Sequence, residues 1–351
     1  MSLFWSPRVA SLTPYAPGEQ PLQTGLIKIN TNESPFSPTP AVQRAIRDAV
    51  NSDLRLYPDP NAFLLRQAIS QAHGVNIDEV FVGNGSDEVL GHAISALMDH
   101  GAPVLLPDIT YGFYQIWCAL YGIDFKLIPL NADFDIETDD YRQAAGGIII
   151  ANPNAPTGRF LSVQQITGLL ELHPGRVLIV DEAYGDFCDQ SAVQLIQHFP
   201  NLLVTRTFSK SRALAGMRIG YALGQKPLIE GLERVKGCFT PYPVDRLAQI
   251  AGAAAIADPN YREQIDAIVS ERIRLSDTLL ALGFDVVPSS ANFILTRHPK
   301  LPGIDLYNAL RRRDILVRHF STPRLQTYIR ITVGTTAQMG QLAKTLTDLL
   351  F

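Results

Sequence analysis

The most informative stretch of the sequence surrounds a single lysine, Lys210. Thr207 and Ser209 precede it with two hydroxyl groups, and Arg218 follows it by eight residues. A lysine that condenses with an aldehyde needs a dry, partly cationic environment that lowers its pKa. Hydroxyl groups and a guanidinium suit a phosphate held beside that lysine. Pyridoxal 5′-phosphate (PLP) is a cofactor that carries both groups, but taken alone the motif is also compatible with an exposed polar loop, and the rest of the sequence must decide between them.

A second candidate lies in Phe81–Glu88, where a predicted strand gives way to a helix. Its glycines let the backbone approach an anion, and the helix N-terminus offers free N–H groups and the positive end of a dipole. Gly85, Ser86 and Asp87 are therefore candidates for a phosphate cradle. A dinucleotide site is a weaker interpretation, because Glu88 occupies the third glycine position of that motif. A plain glycine-bearing turn is the remaining alternative.

Two further predicted strands end in polar groups. An Asn/Pro/Gly loop at 152–158 follows one strand, and its asparagines could donate a hydrogen bond to a phenolate oxygen of a cofactor. The other strand ends at Asp181, and a buried carboxylate needs a cationic partner such as a protonated pyridine nitrogen. Tyr184 could reach the ring oxygen. The alternatives are a simple turn for the loop and a helix cap or metal ligand for Asp181, but no metal-ligand cluster is present in the sequence.

The composition is that of an ordinary globular protein. The 351 residues allow one large and one smaller domain, with 46% hydrophobic and 18% charged residues. A net charge of −4 and the lack of basic blocks give no reason to expect nucleic acid as a partner. Three widely spaced cysteines indicate a reducing compartment, without disulfides or a zinc site. With no signal-peptide pattern or long apolar run, we expect a cytoplasmic protein with no membrane partner.

The periodicity of apolar residues predicts how these groups are positioned. Residues 1–38 are predicted to form an extended arm that packs with the small domain or a dimer partner. Strands are predicted at 80–83, 104–107, 125–129, 147–151, 177–180, 202–205 and 219–222. Helices are predicted at 39–50, 62–73, 87–98, 113–121, 163–172 and 226–235, with Phe113, Tyr114 and Trp117 in the core. The alternation predicts a mainly parallel sheet covered on both faces.

The character of the sequence changes after residue 243. A helical stretch at 244–282, broken near Pro259, leads to shorter elements. Strands are predicted at 285–287, 292–295, 316–319 and 328–333, and helices at 303–313 and 336–350. The sequence therefore predicts a large domain at 39–243 and a smaller α+β domain at 244–351.

Taken together, the motifs resemble those of the fold-type I PLP-dependent (class II) aminotransferases in order and spacing, from about residue 9 to 348. The resemblance is sharpest to the histidinol-phosphate aminotransferase subgroup. The shared motifs are Leu12–Gly18, Asn30–Pro35, Tyr57–Asp59, Gly83–Glu88, Thr110–Tyr114 and Ile329–Thr335. The resemblance implies an α/β fold, with a mainly parallel central sheet between helices in the large domain and a smaller α+β domain.

The resemblance also implies roles for the matching residues. Lys210 would condense with the cofactor aldehyde and later move the substrate proton. Asp181 would pair with the pyridine nitrogen, Tyr184 with the ring oxygen, and Tyr111 would stack on the ring. The implied phosphate ligands are Ser86, Asp87, Thr207, Ser209 and Arg218.

Contacts with substrate and with a second subunit are implied in the same way. Tyr57 would reach the cofactor phosphate of the neighbouring subunit in a homodimer. Arg330 would bind an anionic group of the substrate, and Arg318 and Tyr15 would hold the phosphate end. Asn32 belongs to the same predicted substrate-binding set.

Two positions depart from the family pattern. Ala155 stands where the family has an asparagine that contacts the ring oxygen, and we expect Asn154 to make that contact instead. Ser34 replaces a second asparagine found in many relatives, and we expect little consequence.

The activity implied by the resemblance is transamination of L-histidinol phosphate with 2-oxoglutarate, in histidine biosynthesis. Arginines suit such a site, because it must accept small anionic substrates of two shapes, a phosphate monoester and a dicarboxylate. The alternatives are an aromatic amino acid aminotransferase, an enzyme like L-threonine-O-3-phosphate decarboxylase, and a binding or regulatory protein without turnover. The intact Lys210, Asp181 and Arg218 argue against the last.

Overall fold

The structure, a computed structural model, describes residues 3–21, 23, 25–98 and 100–350. Residues 1, 2, 22 and 24 of the predicted arm therefore lie outside the described residues. In chain order the helices are α1 Pro7–Ser11, α2 Pro40–Ala49, α3 Phe63–His73, α4 Gly85–Leu97, α5 Phe113–Tyr121, α6 Val163–Leu172, α7 Lys226–Phe239, α8 Arg246–Ala257, α9 Tyr261–Ala281, α10 Gly303–Arg311 and α11 Thr336–Leu350. None of the described helices is both long and apolar enough to cross a membrane.

Short strands alternate with these helices. They are β1 Ile27–Lys28, β2 Val80–Asn84, β3 Val104–Pro107, β4 Phe125–Ile128, β5 Gly147–Ala151, β6 Leu178–Asp181, β7 Leu202–Thr207, β8 Ile219–Gly224, β9 Asp285–Val287, β10 Phe293–Arg297, β11 Ile315–Leu316, β12 Arg318–His319 and β13 Ile329–Thr332. The predicted strand at 316–319 is divided, since β11 and β12 pair with different partners.

Seven strands form the large sheet in the order β2-β8-β7-β6-β5-β3-β4. The prediction of a mainly parallel sheet is confirmed, with β8 as the exception, because it is antiparallel to both β2 and β7. A parallel return needs a crossover of about a dozen or more residues, usually with a helix. The connection at 208–218 contains only a one-turn helix, so the chain returns antiparallel and keeps this segment at one edge of the sheet.

Side chains of the central strands alternate between two hydrophobic cores. Ile149 of β5 lies in one core with residues of α4 and α5, such as Leu90. Ile148 and Ile150 lie in the other core with residues of α3 and α6, such as Leu169. Strands that are apolar on both faces are typical of a sheet covered by helices on both sides. Because β5, β6 and β7 are parallel neighbours, their carboxyl ends lie together at one end of the sheet.

The smaller sheet is antiparallel, in the order β12-β13-β10-β9. Helices α9, α10 and α11 cover it with apolar residues that include Leu275, Leu306 and Leu342. Part of the predicted arm forms β1, whose residues pair in parallel with β11. The sequence analysis missed β1 and α1 because such short elements show no periodicity.

Helix α8 bears on the predicted domain boundary. The predicted interruption near Pro259 is confirmed, since α8 ends at Ala257 and α9 begins at Tyr261. Ala248 and Ala251 of α8 lie in the hydrophobic core that contains the large sheet. These contacts favour a boundary between α8 and α9 over the predicted one at residue 243, and the division into domains stays a prediction.

Candidate active site

A cavity of about 380 Å³ opens at the carboxyl ends of three neighbouring parallel strands. Ala151, Asp181 and Thr207 end β5, β6 and β7, respectively, and all three line the cavity. Ligands of open α/β sheets bind in this position, because the strand ends and the loops after them converge there. Lys210, in the loop after β7, also lines the cavity.

Lys210 is held by the segment that follows β1. Its Nζ donates a hydrogen bond to the carbonyl oxygen of Thr31 over 3.2 Å and lies 5.8 Å from the ring centroid of Tyr184. Burial and the nearby Arg330 guanidinium lower the pKa of Lys210 to about 8. A lysine with this pKa has an appreciable neutral fraction near neutral pH, which condensation with a carbonyl group requires.

Asp181 is 4% exposed and accepts hydrogen bonds on both carboxylate oxygens. The Tyr114 hydroxyl donates to Oδ2 over 2.7 Å, while the Thr205 hydroxyl and the Ala183 backbone N–H donate to Oδ1 over 3.1 and 3.2 Å. Burial raises the pKa of Asp181 to about 6, and the three donors oppose that rise. The carboxylate is therefore ionised at neutral pH and attracts a cationic group.

Tyr184 lines the cavity, and its hydroxyl accepts a hydrogen bond from Asn32 Nδ2 over 2.8 Å. Asn32 is buried at a φ of +57°, and its Oδ1 accepts from the Thr332 hydroxyl. Asparagine tolerates this left-handed backbone better than most residues do. Asn32 lines neither cavity and orients the tyrosine hydroxyl, and its predicted contact with substrate stays a prediction.

The predicted phosphate ligands meet at the N-terminus of α4. Those that line the cavity are Ser86, Asp87, Thr207, Ser209 and Arg218. Gly85 has a φ of +82°, and a Cβ there would lie 2.4 Å from the Arg218 guanidinium. Glycine at this position therefore lets the Arg218 guanidinium lie against the N-terminus of α4, so that an anion there would meet both. In this structure Arg218 lies 3.2 Å from the Asp87 carboxylate.

Tyr111, the residue predicted to stack on the cofactor ring, lines the cavity, and its hydroxyl donates to Asp87 over 2.9 Å. Asn154, unlike Tyr111, does not line the cavity. Its Nδ2 donates to the Ile109 carbonyl and to the Thr157 hydroxyl. The structure argues against the prediction that Asn154 binds the ring oxygen in place of residue 155, because its amide hydrogens are used within its own loop and its neighbourhood. Ala155 itself lines the cavity.

A second cavity of about 440 Å³ adjoins the first and shares Tyr111 and Ala155 with it. Three of the predicted substrate residues line it, namely Tyr15, Arg318 and Arg330. Arg330 Nη2 donates to the Asn30 carbonyl over 2.9 Å, while its buried Nε has no partner among the described residues. The structure thus joins a lysine-bearing cavity to a wall that carries arginines.

Tyr57 lines neither cavity of its own chain, and neither do Gly85, Asn32 and Asn154 of the predicted site residues. Tyr57 is 79% exposed, and its ring stacks on Tyr242 with 4.8 Å between centroids.

The sequence analysis missed residues whose contacts depend on the fold. Thr31 belongs to one of the identified motifs, but its contact with Lys210 arises only when the segment crosses the cavity. Tyr114 is predicted from the sequence only as a core residue. Thr205 carries a usable signal, because it stands in register with Asp181 on the neighbouring strand.

The residues present fit the cofactor that the family resemblance implies. Lys210 suits an aldehyde, Asp181 a pyridine nitrogen and Tyr184 a ring oxygen. Hydroxyl groups, a helix N-terminus and Arg218 suit a phosphate, and Gly85 lets Arg218 lie close to that N-terminus. All of these groups face one cavity.

Comparison with known proteins agrees with this arrangement. The family model for aminotransferase class I and II matches residues 24–346. The histidinol-phosphate aminotransferase of Gluconacetobacter diazotrophicus is 54% identical over 351 residues, which cover 100% of this chain and 99% of the relative.

Two solved structures share the fold. One is the histidinol-phosphate aminotransferase of Sinorhizobium meliloti in complex with pyridoxal-5′-phosphate, with a TM-score of 0.89, 26% identity and coverage of 100% of this chain and 98% of that chain. The other is the L-threonine-O-3-phosphate decarboxylase of Porphyromonas gingivalis, with a TM-score of 0.79, 25% identity and coverage of 93% and 99%.

The lowered pKa of Lys210 predicts how the protein reacts with an aldehyde. When cofactor-free protein is mixed with PLP at a series of pH values, the rate at which the visible absorption band appears should rise with a midpoint near pH 8, because the neutral amine reacts. A midpoint near 10.5, the ordinary lysine value, would contradict this environment. Lys210→Ala serves as the control and should not form the band, although its phosphate cradle should still retain PLP non-covalently.

Proposed function

The chain belongs to the class I and II aminotransferases, and from that premise we propose that it transfers the amino group of L-histidinol phosphate to 2-oxoglutarate. The products are imidazole acetol phosphate and L-glutamate, the cofactor is PLP, and the reaction belongs to histidine biosynthesis. The observation that carries the proposal is the single cavity lined by Lys210, Asp181 and Arg218 beside a wall with Arg318 and Arg330. The 54% identity to a full-length relative with this activity in its name supports it.

When bound, PLP supplies an aldehyde for the amino group and a pyridinium that withdraws electrons from the substrate carbon. The protein must place a base beside that carbon. Lys210 is suited to this work, because a pKa of about 8 allows its Nζ both to accept and to return a proton near neutral pH. The Thr31 carbonyl holds the same atom at the cavity wall.

Asp181 has the complementary task of keeping a positive charge within the cavity. Its ionised carboxylate would hold a proton on the pyridine nitrogen, since an opposite charge within a few ångströms favours the charged form. Tyr184, oriented by Asn32, would donate to the ring oxygen. Tyr111 would cover the ring face.

Substrate discrimination is assigned to the adjoining cavity. Arg318 and Arg330 present planar guanidinium groups, which bind a phosphate or a carboxylate in the same geometry. Tyr15 lies with them, and its ring packs against Phe113 with 4.9 Å between centroids. This combination of cations and aromatic rings suits a substrate with an imidazole ring and an anionic end.

Two alternative activities are less well supported. Decarboxylation of a phosphorylated amino acid rests on a solved structure at 25% identity, compared with 54% for the aminotransferase relative. Transamination of aromatic amino acids would use the same cavity, and the described contacts give it no separate support.

We further propose that the active unit is a homodimer and that the enzyme acts in the cytoplasm. Large apolar side chains along the segment 50–64 are exposed, namely Val50, Leu54, Leu56, Tyr57, Phe63 and Leu64. Exposed apolar patches of this kind are typical of protein interfaces. The Arg218 side chain is 45% exposed, so the phosphate cradle is open to a residue from another chain. Tyr57 of a second subunit is the residue we assign to that place.

The proposed reaction predicts a reversible change in the absorption of the holoenzyme. L-Histidinol phosphate should remove the visible band of the bound cofactor, and 2-oxoglutarate should restore it with formation of glutamate. Release of CO2 from added L-threonine-O-3-phosphate, without formation of glutamate, would support the decarboxylase alternative, and faster loss of the band with aromatic amino acids would support the other one. A band that no amino donor changes would contradict transamination.

Arg318 should discriminate between the two substrates. Arg318→Ala is expected to raise KM for L-histidinol phosphate by about 10- to 100-fold, the effect of removing one hydrogen bond to a charged group. KM for 2-oxoglutarate should change far less. Arg297→Ala, which removes another arginine of the small sheet that pairs with Asp285, is the matched control. Equal losses for both substrates would count against a role for Arg318 at the phosphate end.

Mixed dimers should reveal whether Tyr57 acts across the interface. Tyr57→Ala is expected to weaken PLP binding, and Lys210→Ala to abolish turnover. In a dimer of one Tyr57→Ala chain and one Lys210→Ala chain, one site regains both residues. Random mixing of equal amounts should therefore restore about one quarter of the wild-type activity per chain, at a PLP concentration that does not saturate Tyr57→Ala. No recovery would mean that Tyr57 serves its own chain or no site.

A further inference from the structure

Tyr114 does more than fill the core in which the sequence analysis placed it. On the premise of the proposed function, we propose that Tyr114 is a positioning residue, which holds the Asp181 carboxylate in the orientation that the reaction requires. It lies on α5, outside the cavity lining, and its hydroxyl reaches Asp181 from the side of the sheet that α4 and α5 cover.

The division of hydrogen bonds between the two carboxylate oxygens carries the inference. Thr205 and the Ala183 backbone N–H both donate to Oδ1. Tyr114 donates to Oδ2 over 2.7 Å. The two contacts to Oδ1 are long, at 3.1 and 3.2 Å, so the contact at 2.7 Å from Tyr114 is the shortest of the three hydrogen bonds and restrains rotation of the carboxylate about its bond to Cβ most strongly. Tyr114 therefore fixes the direction in which the free lone pairs of Asp181 face the cavity.

The direction of this hydrogen bond is set by the environment of the phenol. Tyr114 is 0% exposed, and burial raises its pKa further above the ordinary value, so its hydroxyl stays protonated and donates. A hydrogen bond to a charged acceptor favours the charged form of that acceptor. Asp87 opposes it, since its charge raises the pKa of Asp181. Tyr184, which also interacts electrostatically with Asp181, is neutral because burial raises its pKa.

Tyr114→Phe removes the hydroxyl group and keeps the aromatic ring, so it tests the hydrogen bond apart from the packing of the ring. The Tyr114 ring packs edge-on against Tyr111 with 5.6 Å between centroids, and phenylalanine keeps that contact. Tyr141→Phe is a matched control, because Tyr141 is a second tyrosine of the large domain with 1% exposure. Its hydroxyl has no hydrogen-bond partner among the described residues. Both variants lose one buried hydroxyl, but only one of these hydroxyls contacts Asp181.

The test compares the two variants as purified protein reconstituted with PLP. Tyr114→Phe is expected to raise the dissociation constant for PLP by about 10-fold or more, as for loss of a hydrogen bond to a charged group. It should lower kcat more than it raises KM for L-histidinol phosphate. The acidic limb of its pH–rate profile should move to higher pH, because Asp181 must be ionised and loss of a donor raises its pKa. Tyr141→Phe should match the wild type in all three measurements.

A double-mutant cycle shows whether the effect passes through Asp181. In an Asp181→Asn background, Tyr114→Phe should change PLP affinity by less than about 2-fold, because the charged acceptor is already gone. Full additivity of the two losses, or a Tyr114→Phe variant that behaves like Tyr141→Phe, would overturn the proposal. PLP affinity is measured without any amino donor. It therefore tests the role of Tyr114 even if L-histidinol phosphate proves not to be the substrate.

Discussion

The site depends on one constraint, which is that the Asp181 carboxylate is buried at the end of a central strand. A buried charge is costly unless hydrogen bonds and an opposite charge compensate it. The fold meets this need from three directions, through the Tyr114 hydroxyl, the Thr205 hydroxyl on the neighbouring strand and the Ala183 backbone. The compensation by protein donors is incomplete, because the pKa of Asp181 remains raised to about 6. A cationic group in the cavity completes it, so the carboxylate favours a ligand with a protonated nitrogen.

The same burial explains the opposite behaviour of Lys210. The dry environment that raises the pKa of a carboxylic acid lowers that of an amine, and Arg330 adds to the effect on the lysine. Acid and base functions near neutral pH thus arise from one feature, a cavity closed by the sheet edge and by the segment that carries Thr31. Asp181 ends β6, and Lys210 lies in the loop after β7. Because β6 and β7 are neighbours in the sheet, the strand order maintains the separation between these two side chains.

The parts of this arrangement that are local in sequence could be predicted. The apolar runs of β5, β6 and β7 and the polar residue after each one indicate the strands and the edge that holds the site. Partners that the chain brings from afar could not be predicted in this way. Asn32 is 152 positions from Tyr184, so its motif indicates a substrate contact rather than this hydrogen bond. The motif around Asn154 indicates a contact with the ring oxygen, whereas its hydrogen bonds depend on how the loop closes on Thr110 and Ile109. The change in sequence character after residue 243 places helix α8 in the small domain, whereas its contacts favour the large domain. The sequence could not show this, because small apolar residues do not indicate which core they enter.

Asn32 has a consequence for how the two cavities are supported. Thr332, which bonds to Asn32, and Arg330, which faces the second cavity, belong to the same strand β13. β13 is paired with both β10 and β12, which fixes its place in the small sheet. One strand therefore sets both the place of Arg330 at the second cavity and, through Thr332 and Asn32, the orientation of the Tyr184 hydroxyl at the first. The two cavities thus share one structural support, so a substitution that shifts β13 would disturb both of them together.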